Sequence, residues 1–83
     1  MTLSQMLYKI HKLIEAKELK VITQKEMATR LGVSKRAYME WLRQTNEPMG
    51  MKAMLDMLNM LNDDDLIRAV RTWGYTRNND KAE

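Results

Sequence analysis

Lys35, Arg36, Met39, Glu40 and Arg43 follow one another at intervals of one, three, one and three residues, a spacing that gathers side chains on one side of an α-helix. The face they would form is long, mostly cationic and rich in groups that hydrogen-bond. The wider charge distribution agrees with an anionic partner. Residues 1–46 hold nine Lys and Arg against four Asp and Glu, a balance of +5, whereas residues 47–83 hold five against seven, a balance of −2. A basic half of this kind favours a polyanion.

Covalent chemistry finds no comparable set of residues. The chain has no cysteine and one histidine, His11, so a thiol nucleophile, a disulfide and a structural zinc site all lack their groups. There is no glycine-rich phosphate loop, and His11 has no Ser and Asp at a plausible spacing. His11 is expected on the solvent side of a helix. Asp63, Asp64 and Asp65 lack the alternating spacing and the glycine of a calcium loop, and they suit the first turn of a helix. At 83 residues the chain is too short to enclose a substrate. The expectation is a protein that is not an enzyme, with no cofactor, no metal and no small-molecule substrate.

The elements that must position the cationic face are helices. Three glycines, one proline and no phenylalanine argue against a strand-rich fold. Leu3, Met6, Leu7, Ile10, Leu13 and Ile14 make an apolar stripe of helical period, and Thr2 with Gln5 forms a capping box before it, which predicts a first helix over residues 3–17. Residues 18–22 read as a linker. A second capping box at Thr23 and Glu26 opens a second helix over residues 24–31, with Met27, Ala28 and Leu31 inside and Gly32 at its end. Ser34 caps a third helix from Lys35, with Ala37, Tyr38 and Trp41 turned inward. Residues 44–50 form a polar loop containing Pro48. A fourth helix over residues 51–61 carries Met51, Met54, Leu55, Leu58 and Leu61 on its core stripe. Asn62 or Asp63 caps a fifth helix bearing Leu66, Ile67, Val70 and Trp73, which Gly74 ends.

The second and third helices are joined by Gly32, Val33 and Ser34 alone, so they must cross steeply, as in a helix-turn-helix. Gln24 opens this unit, Ala28 is small where the helices approach, Val33 plugs the turn, and Tyr38 and Trp41 close its core. Residues 23–42, TQKEMATRLGVSKRAYMEWL, resemble the DNA-binding unit of the lambda-repressor and Cro-like family. With one helix before and two after, the similarity extends over about residues 3–73. The resemblance implies an all-α, compact five-helix domain over residues 1–75, followed by a flexible tail at 76–83. It also implies a sequence-specific transcriptional regulator, most simply a dimeric repressor of its own or another operon, of the kind carried by phages and mobile elements.

In that family the second helix of the unit lies in the major groove of double-stranded DNA. There Arg can bind guanine O6 and N7, Glu can accept from cytosine N4, and an apolar group can touch the thymine methyl. The positions that match are Lys35, Arg36, Met39 and Glu40. Thr23 and Gln24, at a helix N-terminus, and Arg43, Gln44, Thr45, Asn46 and Lys52, beyond the third helix, are the matching phosphate contacts. Each has a plainer counterpart: Arg36 and Glu40 can form an exposed ion pair, and Met39 can be a single exposed apolar residue.

One recognition helix reads only about four to six base pairs, so a homodimer on a palindromic operator is expected. Met57, Met60, Ile67, Val70, Trp73 and Tyr75 offer surplus apolar surface for the interface, the other reading being that the fifth helix closes the core of one chain. The alternative function is an antitoxin or another protein-interaction module on the same fold. A face retired from DNA would have no reason to keep Lys35, Arg36 and Arg43. No apolar run reaches the ~18 residues of a membrane span, and Gln5, Lys9, His11 and Lys12 interrupt any leader-like stretch, so a cytoplasmic protein without a membrane partner is expected.

Overall fold

The computed structural model describes residues 1–43 and 48–82, with side chains through residue 76. Among the described residues there are five α-helices and no strand: α1 (Leu3–Glu18), α2 (Gln24–Leu31), α3 (Lys35–Leu42), α4 (Met49–Leu58) and α5 (Asp63–Ala82). None of these helices is long and apolar enough to cross a membrane. The chain divides into two compact units, Met1–Met49 and Gly50–Glu83.

Hydroxyl side chains start each helix of the first unit. Thr2 Oγ1 accepts from Gln5 N–H at 3.2 Å while Gln5 Oε1 accepts from Thr2 N–H at 2.8 Å, so the expected capping box is complete. Thr23 Oγ1 accepts from Glu26 N–H at 3.0 Å, and Ser34 Oγ accepts from Ala37 N–H at 3.0 Å. The Glu26 carboxylate lies against Lys20 at 3.6 Å and Arg30 at 3.8 Å. At the other end of α2, Gly32 takes a left-handed φ of 75°, and its N–H and that of Val33 return to the Ala28 carbonyl.

The core of this unit is Ile22, Met27, Ala28 and Tyr38, with Leu7, Ile14, Val33, Trp41 and Leu42 packed against it. Ile22, expected in a linker, is only 2% exposed. It precedes the Thr23 cap and meets Met27 at the fourth helical position, the hydrophobic staple that fixes how a chain enters a helix. Val33, before the Ser34 cap, repeats the arrangement with Tyr38.

The inward face of α1 differs from the expected stripe. Leu3, Ser4 and His11 are buried, Leu7 and Ile14 are half-buried, and Ile10 and Leu13 are exposed. The helix is rotated because His11, expected in solvent, is 7% exposed and bonded at both ring nitrogens, so a polar residue can occupy the interior without loss. Leu31, expected inside, is exposed. The C-terminal ends of α1 and α2 are clamped by Arg30, which donates to both oxygens of Glu18 at 2.6 and 2.8 Å. This pairing holds the Glu18 carboxyl below its ordinary range.

In the second unit two boundaries move. α4 starts at Met49, immediately after Pro48, so Gly50 is helical instead of part of a loop. Proline is compatible with the start of a helix, where its missing N–H has no partner to lose. α4 ends at Leu58 rather than at residue 61, where Met60 and Leu61 N–H turn to the tighter Met57 and Leu58 carbonyls. Met54 and Leu61, expected on the core stripe, are exposed. α5 starts where expected, with Asn62 Oδ1 accepting from Asp65 N–H at 2.9 Å. Gly74 does not end it: the backbone stays helical to Ala82 through most of the segment expected as a tail. An interior glycine costs only about 1 kcal/mol relative to alanine, too little to stop a helix by itself.

Candidate nucleic-acid interface

The residues singled out on the third helix share one surface. Lys35, Arg36, Met39, Glu40 and Arg43 together line an open depression of about 640 Å³. Lys35, Arg36 and Arg43 are exposed, and Met39 and Glu40 are half-buried. The depression exists because α3 is amphipathic and its other side is occupied. Tyr38, 1% exposed, Trp41 and Leu42 enter the core, which turns the four charged side chains and Met39 outward. Tyr38 and Trp41 meet edge to face with ring centroids 6.3 Å apart.

Within the face, Arg36 Nε donates to Glu40 Oε1 at 3.3 Å. The pair is one helical turn apart and the arginine side chain is 90% exposed. Such a pair contributes only about 0.3–0.5 kcal/mol and is readily exchanged for another partner.

What holds α3 in place is a polar cluster that spacing alone does not reveal. His11 Nε2 lies 2.8 Å from the Ile22 carbonyl oxygen, and Nδ1 lies 2.7 Å from the Tyr38 hydroxyl. A carbonyl can only accept, so Nε2 carries the proton, and in the neutral ring Nδ1 accepts from the Tyr38 O–H. One imidazole therefore ties α1 to α3 and to the segment before α2. Glu15 completes the cluster. Its carboxylate accepts from Ile22 N–H at 2.7 Å, pairs with Lys12 at 3.1 Å and stands 3.7 Å from His11 Nε2. The Ile22 N–H, followed by Lys12, holds the Glu15 carboxyl below its ordinary range. Burial pushes the Tyr38 phenol up, and the nearby Glu15 charge pushes it in the same direction. His11 and Tyr38 thus stand behind the face and tie α3 to α1.

Of the positions matched to phosphate contacts, Thr23, Gln24 and Arg43 are exposed in the first unit. Thr23 Oγ1 accepts the bond that caps α2, and a phosphate would take the proton its hydroxyl donates. Lys52 is exposed on α4 in the second unit. Gln44, Thr45 and Asn46 lie outside the described residues. The residues assigned to a dimer contact, Met57, Met60, Ile67, Val70, Trp73 and Tyr75, are all exposed in the second unit. On the continuous α5, Tyr75 falls roughly 140° around the axis from Val70, so it does not share the stripe of Ile67, Val70 and Trp73. No protein-family model, curated protein or solved structure matches the chain.

Proposed function

We propose that this chain is a sequence-specific double-stranded DNA-binding protein of helix-turn-helix type that regulates transcription, most simply as a cytoplasmic repressor. The observation that carries the reading is the outer face of α3, where Lys35, Arg36, Met39, Glu40 and Arg43 line one open depression on a helix anchored from behind by its core side. Such a face fits a major groove: Lys35, Arg36, Met39 and Glu40 meet base edges, while Arg43, Thr23 and Gln24 meet phosphates. The α2 terminus supports the phosphate role, because Thr23 caps only the Glu26 N–H and the positive end of the helix dipole favours an anion. The function is one of binding, without catalysis.

A homodimer belongs to this reading. The exposed Ile67, Val70 and Trp73 of α5 give each copy an apolar stripe, and joining two copies doubles the sequence that is read. Ile67→Asp introduces two charges at a two-fold interface, so sedimentation equilibrium of this variant should show monomers where the wild type is dimeric. A stripe that served a different protein, such as a toxin, would leave the wild type monomeric.

Selection of bound duplexes from a random pool tests the function itself. The expected outcome is a palindromic consensus, bound with a log–log salt slope of about −4 to −7 if four to eight phosphates are contacted per dimer. No enrichment from the pool, or a slope near zero, removes DNA as the ligand.

A further inference from the structure

Glu40 is the one carboxylate among the residues that line the α3 depression. Phosphates repel it, so it weakens every encounter with DNA in which it finds no donor. It is also placed to occupy Arg36, whose Nε lies 3.3 Å from Glu40 Oε1. A guanidinium held by a neighbouring carboxylate is less available to phosphate than a free one. Both effects act against binding without sequence preference.

We propose that Arg36 and Glu40 work as one exchangeable pair that makes the face selective for guanine and cytosine close together in the site. On phosphate or on the wrong bases the arginine can leave this weak pair, but the carboxylate gains no base donor in return and keeps its repulsion. On the right step the arginine fork moves to guanine O6 and N7, and the carboxylate moves to the cytosine N4 amino group. Each partner then exchanges one hydrogen bond for a base contact, and no charge is left unpaired. The arginine half of the exchange excludes an A·T pair, which lacks the two adjacent acceptors that guanine offers to the fork, while at the carboxylate's position adenine N6 is the competing donor. Four residues of helix span about 6 Å and successive base pairs about 3.4 Å, so the two bases lie within one or two steps of each other. The proposal rests on the duplex-DNA reading above and adds to it the composition of the site and the residue that penalises other sites.

The experiment compares wild type, Glu40→Gln, Glu40→Ala and Arg36→Ala on two duplexes at one fixed salt concentration. One duplex is the selected consensus and the other is its scrambled sequence, with affinity read by fluorescence anisotropy. Glutamine keeps the shape of the side chain and alanine favours the helix, so circular dichroism should show both Glu40 variants folded. Glu40→Gln and Glu40→Ala should tighten binding to the scrambled duplex by about threefold to tenfold and reduce the ratio of consensus to scrambled affinity by about tenfold. Preference at the cytosine position should relax in both. Arg36→Ala should weaken both complexes while Glu40 still opposes the scrambled one. Folded Glu40 variants that leave either the scrambled affinity or the ratio unchanged would overturn the exchange and leave DNA binding standing. A wild type that binds neither duplex, at any salt, would remove the DNA reading and the exchange together.

Discussion

Ile22, Met27, Ala28 and Tyr38 are withdrawn from water in the first unit, whereas no described side chain of the second unit is buried. Both are helical, and both carry apolar residues at helical spacing. They differ in what those residues meet. In Met1–Met49 staples, caps and a histidine with two partners close three short helices around one core, which leaves the outer face of α3 fixed and polar. In Gly50–Glu83, Met54, Met57, Met60, Ile67, Val70 and Trp73 are each more than two-fifths exposed. Apolar area is removed from water at about 25 cal/mol per Å², so a unit that buries so little of it gains by acquiring a partner. A unit with its own core can present a fixed helix face to a ligand, and a unit whose described apolar side chains are mostly exposed is suited to association.

The largest test of that contrast is a pair of aromatic truncations. Tyr38→Ala should cost about 3–5 kcal/mol, enough to unfold a domain of this size, while Trp73→Ala, at a side chain on a residue 63% exposed, should change the stability of the monomer by less than about 1 kcal/mol. Denaturant unfolding at low protein concentration reads both, and equal losses would erase the distinction. Next in size is the polar cluster. His11→Leu keeps the volume but leaves the Ile22 carbonyl and the Tyr38 hydroxyl without their partner, at a cost of about 2–4 kcal/mol. Adding Tyr38→Phe removes one of the stranded groups, so the double variant should be less unstable than the sum of the singles. Additive losses would mean that the two side chains do not act together.

A smaller effect comes from pH. The folded Glu15 carboxyl titrates below its ordinary value of 4.5, so its contribution is present above that value and is lost as pH falls through the lowered one. The folded Tyr38 phenol titrates above its ordinary value of 10.0, so the fold holds that proton more tightly and loses stability as pH rises beyond 10. Thermal melts should therefore decline at both extremes. Glu15→Gln should flatten the acid side and, to a smaller degree, the alkaline side, because the Glu15 charge helps raise the Tyr38 phenol; a variant with an unchanged acid limb would exclude Glu15 as its cause. The smallest effect is a gain. Leu19 ends α1 in a left-handed conformation, φ 57°, with its side chain in solvent. Leu19→Gly relieves that strain at the expense of a more flexible unfolded chain and should stabilise the protein by about 0.5 kcal/mol. A lower melting point would show that the leucine makes a contact that its exposure does not reveal.

The contrast between the units also marks how far the sequence could be read. Thr2, Thr23, Ser34 and Asn62 mark the start of four helices by local chemistry alone, and Gly32 marks a stop, so these boundaries were legible. The amphipathic spacing of α3 likewise assigned Lys35, Arg36, Met39, Glu40 and Arg43 to one face. Ile22 carries a local signal, its place just before a cap and five residues before Met27, which its position between two helices obscures. His11 had none. Its hydroxyl partner lies 27 residues away, and a lone polar residue on an apolar helix face is read as exposed until a partner for it is known. Gly74 misled in the other direction, because a residue that can end a helix does not have to.

The outer face of α3 is proposed as the surface that meets duplex DNA. Backbone amide shifts of ¹⁵N-labelled protein, followed while a selected duplex is added, test it most directly. The largest perturbations should fall on α3 and Arg43 after it, with a second group at Thr23 and Gln24. Perturbations centred on residues 63–73 of α5, or none at saturating duplex, would contradict it.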